Sequence, residues 1–140
     1  MPAEASIAQA VSDALVQVLE EMFYSTAAGI AETEIPDAVC AHLHFNGDPC
    51  GEFELRIPAG VVRSLAAACL GVAESEVSPQ AGCDAACELA NMICGATLSR
   101  LHPHAVVKLN SPEIAEPRIA GERWCFEMPE GPLTVAMRVN

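Results

Sequence analysis

Ser78-Pro-Gln-Ala-Gly-Cys-Asp84-Ala-Ala-Cys-Glu88-Leu-Ala-Asn91-Met-Ile-Cys-Gly95-Ala-Thr-Leu-Ser-Arg-Leu101 is the stretch from which the rest of the chain is read. From Gln80 to Leu101 it is long enough for about six helical turns. Ser78 is an N-cap residue, Pro79 fits the first helical position, and His102-Pro103 stops the helix. Asp84, Glu88, Asn91 and Gly95 follow one another at steps of four, three and four. At roughly 100° per residue they share an arc about 60° wide. The opposite arc carries Ala86, Leu89, Ala90 and Ile93. The spacing predicts a helix buried over most of its surface, with one narrow acid/amide stripe. Gly95 continues that stripe without a side chain, leaving room for something bulky to approach. Polar residues on one helical face are most often a solvated surface. Two features argue for more here: the stripe has no Lys or Arg, and a carboxylate lies one turn from a carboxamide. Such a pair can hold a water molecule and a cation together.

Upstream, residues from about Ala5 to Ile30 read as a long amphipathic helix, with Ile7, Val11, Leu15, Val18 and Met22 in helical period. Asp13, Gln17 and Glu20 lie on another of its faces. Val39 to Phe45 alternates, with Val39, Ala41, Leu43 and Phe45 on one side and Cys40, His42 and His44 on the other. Asn46-Gly47-Asp48-Pro49 is a turn, and Glu52 to Ile57 alternates again, which makes an antiparallel hairpin. His42 and His44 share a strand face and are metal-ligand types. With no third ligand evident, a plain half-exposed strand face is the preferred reading. Pro58 opens a second helix, Ala59 to Leu70, closed by Gly71. Downstream of the central helix, Ala105 to Leu109 reads as a strand and Ser111 to Gly121 as a loop. Arg123 to Met128 and Leu133 to Val139 form a second hairpin, with Trp124, Phe126 and Met128 inward. Long helices with mostly antiparallel strands indicate an α+β architecture, expected as a single domain over residues 1–140.

The totals narrow the function. A net charge of −12, with six Arg and the single Lys108, disfavours nucleic acid as a direct partner. No uninterrupted apolar segment is long enough to span a membrane and no secretory signal is visible, so a cytoplasmic protein is expected. The seven cysteines include no C-x-x-C pair. Cys83, Cys87 and Cys94 recur at helical spacing and read as small buried side chains. Cys40 and Cys50 flank the first hairpin and are expected to be reduced. Phosphate-loop, dinucleotide, nucleophile-elbow and zinc-protease motifs are all missing. What remains is Glu88-x-x-Asn91 on a helix, with Asp84 one turn upstream.

The pattern Asp84-x3-Glu88-x2-Asn91, with Pro112 after 20 intervening residues, resembles the CheC/CheX/FliY family of chemotaxis phosphatases. Leu19-Glu-Glu-Met-Phe23 on the opening helix, the hairpin before the second helix, and Asn91-Met-Ile-Cys-Gly95 look like a single-site, CheX-like member. The resemblance implies a CheC-like fold and a hydrolase for the aspartyl phosphate of a CheY-like response-regulator receiver domain. In that reading Asn91 orients the attacking water and Glu88 pairs with the receiver's active-site Lys. Asp84, Gly95 and Pro112 support the contact. The chain would bind no metal or cofactor itself, because the receiver holds the Mg²⁺. Two-site members carry Glu-x-x-Asn on the first helix as well. Here the corresponding-looking positions are Asp13, Gln17 and Glu20, which lack the amide after the acid, so one active stripe per chain is expected. A homodimer is expected too. The competing readings are a non-catalytic receiver-binding or flagellar-switch module on the same fold, and an unrelated small acidic adaptor.

Overall fold

In a computed structural model the described residues are 4–22, 28–30, 38–117, 119, 123–128 and 131–139. Their order is α1 (Glu4–Met22), β1 (Ala28–Ile30), β2 (Ala38–Gly47), β3 (Gly51–Pro58), α2 (Ala59–Leu70), a 3₁₀ turn (Glu74–Glu76), α3 (Pro79–Leu101), β4 (Val107–Leu109), β5 (Glu113–Ile114), β6 (Arg123–Met128) and β7 (Gly131–Val139). The strands form one antiparallel sheet in the order β1-β6-β7-β3-β2-β4, with β5 also paired to β2. The architecture is α+β, as the sequence implies.

The sheet's apolar face follows from strand period and register. Successive residues point to opposite sides, and directly opposed residues share a side. Leu43 therefore meets Phe53, which meets Met137; Ala41 meets Leu55, which meets Val135; Val135 in turn meets Trp124. These side chains are all buried. They form one core with Val11, Leu15, Val18 and Leu19 of α1, Val61, Val62 and Leu65 of α2, and Ala86, Leu89, Ala90, Ile93 and Leu98 of α3. The alternate residues build a polar second face: His42, His44, Glu52, Glu54, Arg56, Thr134 and Arg138. Its centre is closed to water, with His42 and Glu54 at 0% exposure. The Ile119 N–H donates to Glu54 Oε2 at 3.1 Å, and Arg56 Nη2 lies 3.4 Å from Glu54 Oε1. A buried carboxylate keeps its charge only with such partners.

The ends of α2 and α3 are set by local chemistry. Ser78 Oγ accepts the Ala81 N–H at 3.1 Å, Pro79 occupies the first turn, and Arg100 Nη1 donates back to the Ala96 carbonyl. Gly71 closes α2 at φ +70°, a left-handed cap that a side chain would strain. Gly51 is fixed by space: a Cβ there would come within 2.0 Å of the Arg138 carbonyl oxygen on β7.

Three expectations are corrected. The first helix ends at Met22 instead of running to Ile30, and Ala28–Ile30 pairs with β6. Gly29 weakens a helix there, and backbone pairing along the β6 edge outweighs the apolar period. Within the expected loop after Ser111, Glu113–Ile114 pairs with β2, opposite His42 and Ala41. The strand expected from Ala105 begins at Val107. Phe23 and Pro36 lie outside the described residues, as do the side chains of Met22 and Met128.

Leu89→Ala should cost about 2–5 kcal/mol, the range for emptying a packed Leu site. Leu70→Ala, at a position 59% exposed, should stay within about 0.5 kcal/mol. Urea unfolding of the two variants measures the difference.

Candidate functional site

The predicted stripe lies on the outer side of α3. Asp84 and Glu88 are exposed, and Asn91 and Gly95 are half-buried. Leu89, Ala90, Ile93 and Cys94, each at most 1% exposed, form the inner side. Asn91 is half-buried and lies in helical phase with the two carboxylates. From Asp84 to Asn91 the helix rises about 10 Å. The helix packs against α1, α2, β2 and β3, so its backbone is supported from several directions. That support fixes where the stripe's Cβ atoms point.

Each polar group has an identifiable setting. Gln80, one turn upstream, donates from Nε2 to Asp84 Oδ1 at 2.9 Å. This partner was readable from its four-residue spacing but is not part of the expected constellation. Among the described residues Glu88 joins no ion pair. Beside Gly95 is a hollow lined by Leu98, Ser99, His102, Val107 and Leu109. A Cβ at Gly95 would lie 4.0 Å from Leu109 Cδ2, so the surface here is open but bounded by β4. Pro112 is half-buried between β4 and β5, and both strands contact α3. On α1, Gln9 donates to Asp13, and Arg100 of α3 donates to Gln17.

Burial first, then Cys83 and Asp84, raise the Cys87 thiol above its ordinary value of 9.0. Burial also raises Cys94 strongly. All seven cysteines are free, Cys40 and Cys50 included. The stripe's own side chains are two carboxylates and an amide, groups that position water and cations.

On the sheet's second face the expectation for the histidines is revised. His42 is fully buried, while His44 is about half exposed. Glu52, directly opposite His44 in the β2–β3 register, supplies the third group that the sequence reading lacked. Counting outward from the turn, with Phe45 against Gly51, would have found it.

A sequence profile described as chemotaxis phosphatase CheX matches residues 39–118. The chain belongs to the CheX family. No curated protein sequence matches it. Solved structures extend the likeness in fold beyond the matched segment. The chemotaxis protein CheX from Desulfovibrio desulfuricans superposes with a TM-score of 0.74 at 18% identity, covering 96% of this chain and 99% of that one. CheX from Vibrio vulnificus gives 0.74 at 14% identity over the full length of both chains. A chain from the CheX-CheY-BeF3-Mg+2 complex of Borrelia burgdorferi gives 0.72 at 15% identity, covering 94% of this chain and 96% of that one. Among the described residues of this CheX-family chain, no helix is long and apolar enough to cross a membrane.

Burial, then Glu54, push the Cys40 thiol up to about 11 from 9.0. In the unfolded chain Cys40 ionises near 9, so between about pH 9 and 11 the unfolded state holds fewer protons. Stability is therefore full below pH 9 and should fall as pH rises toward 11, read as a falling urea midpoint. At pH 8, iodoacetamide should label exposed Cys69 well before Cys40 or Cys94, as followed by peptide mass mapping.

Proposed function

We propose that this CheX-family chain hydrolyses the aspartyl phosphate of a CheY-like receiver domain, using the outer stripe of α3. The observation that supports the reading is Asp84, Glu88 and Asn91 in phase along one supported helix, both carboxylates exposed and Asn91 half-buried. Membership of a chemotaxis phosphatase family supports it. So does the Borrelia CheX, which shares this fold and stands in a complex with CheY.

The chemistry suits a neutral amide. Phosphoryl transfer passes through a loose, metaphosphate-like state, so the attacking water needs little deprotonation. Aiming it correctly is worth more than a strong base. Asn91 both accepts from and donates to one water, and a helix holds it within a narrow range of directions. Glu88 docks by pairing with the receiver's active-site Lys, and Asp84, held by Gln80, supports that contact from the rim. Gly95 and Pro112 let the receiver's surface come close. Mg²⁺ held by the receiver neutralises the charge developing on the phosphoryl oxygens.

The stripe needs no pocket of its own, because the reacting group arrives in the partner's. Consistent with this, a cleft of about 640 Å³ between α2 and the first turns of α3 is lined by none of the three stripe residues. The protein acts in the cytoplasm, where receiver domains operate, and as a homodimer.

Receivers phosphorylated with acetyl phosphate should lose label faster when the protein is added. Asn91→Ala should reduce that acceleration by at least about 10²-fold, the scale of losing correct placement of a reactant, while binding persists. Glu88→Ala should weaken both binding and turnover. If wild type binds the receiver without speeding loss of label, the chain is a receiver-binding module instead. Hydrolysis undiminished in Asn91→Ala would remove its assigned role. Light scattering after size exclusion should give twice the chain mass of 14.7 kDa; a clean monomer contradicts the dimer.

A further inference from the structure

We propose that His42, His44 and Glu52, on the sheet face opposite α3, form a binding site for a divalent first-row transition-metal ion of the Zn²⁺ type. His42 and His44 extend from the same side of β2, and Glu52 comes from β3. His42 Nε2 lies 3.2 Å from Glu52 Oε1, and His44 Nδ1 lies 3.8 Å from the same oxygen. All three ligand atoms fall within 4.8 Å of one another. Nitrogen and oxygen ligands about 2.0–2.2 Å from a tetrahedral Zn²⁺ are separated by about 3.3–3.6 Å. The two distances to Glu52 lie close to that range. The third separation, between the two imidazole nitrogens, is at most 4.8 Å.

The surroundings hold two of the three ligands and leave the third free to adjust. The His42 side chain is 0% exposed and that of Glu52 13%, whereas that of His44 is 49% exposed. Glu52 divides its oxygens: Oε2 takes a hydrogen bond from Arg138 Nη2, and Oε1 faces the histidines. Arg138 stands opposite Glu52 in the β3–β7 register, so it orients the carboxylate as an outer partner of a ligand does. Exposure at His44 opens the site to solvent, the side from which an ion and a fourth, water ligand would enter. Two imidazoles and one carboxylate select Zn²⁺, Co²⁺, Ni²⁺ or Cu²⁺ over Mg²⁺ and Ca²⁺, which prefer all-oxygen shells. The bound ion would tie β2 to β3 independently of the proposed phosphatase surface, which lies on the helical side of the sheet.

The test is a Co²⁺ titration of the whole chain, stripped with chelator and kept reduced. The expected result is a visible absorption of four-coordinate Co²⁺ that saturates at a single equivalent and is bleached by Zn²⁺. Because Zn²⁺ and Co²⁺ also bind thiolates, the near-ultraviolet should lack sulfur-to-cobalt charge transfer. His44→Ala removes a half-exposed ring, and Glu52→Gln keeps the side chain's shape. Each should weaken Co²⁺ binding by at least about tenfold, with circular dichroism of the metal-free variants unchanged. His44→Gln serves in place of either variant that fails to fold. Absence of the visible bands, a thiolate charge-transfer band, or wild-type affinity in a folded His44 variant would each overturn the proposal.

Discussion

Leu89, Ala90, Ile93 and Cys94 must leave water together, because on a helix they share one side. Once they meet the sheet, the phase of every other residue on α3 is settled: Asp84 and Glu88 are exposed, and Asn91 follows half-buried on the same stripe. The proposed catalyst is thus a by-product of core packing in a literal sense: burial of one arc aims the other. Ala86 and Ala90 are small, and Gly82 has no side chain at all. A Cβ at Gly82 would come 3.2 Å from Val62 Cγ1 of α2, so the helices approach closely at these points. Close approach limits how far α3 can rock, and a side chain that positions water depends on that limit.

The sheet separates two kinds of chemistry by the same alternation that builds it. One side is aliphatic and aromatic and receives the helices. The other carries a chain of opposed polar pairs: His44 with Glu52, Glu52 with Arg138, His42 with Glu54, Cys40 with Arg56. The cost of burying Glu54 is met by the Ile119 N–H and by Arg56. Burial first, and the neighbouring Glu54 next, hold the Cys40 thiol protonated well into the alkaline range. This face is therefore specified by electrostatic pairing, and the helical face by shape.

Features encoded within a few residues were legible in the sequence. Ser78-Pro79, Pro58, Gly71 and the Asn46–Pro49 turn fixed the ends of α2, α3 and the first hairpin, because caps and turns are local chemistry. The stripe was legible because helical period alone places it. The strands β1 and β5 were not, since two or three residues carry no pattern and exist as strands only through distant partners. The third member of the histidine cluster needed strand register, which the sequence contained but which periodicity alone does not reveal. The cross-sheet contact of Ile119 with Glu54 was beyond any local reading, the two being 65 residues apart.

The strand β7 lies between β6 and β3, in the interior of the sheet, although it follows every other described element in the chain. During synthesis β3 therefore leaves the ribosome with one edge unmet until some eighty further residues have been made. The β2–β3 hairpin and the three helices can assemble beforehand, but they do so around an unfilled slot lined by Phe53 and Leu55. Such an intermediate exposes a strand edge with an apolar flank, the kind of surface that recruits chaperones or pairs with a neighbouring nascent chain.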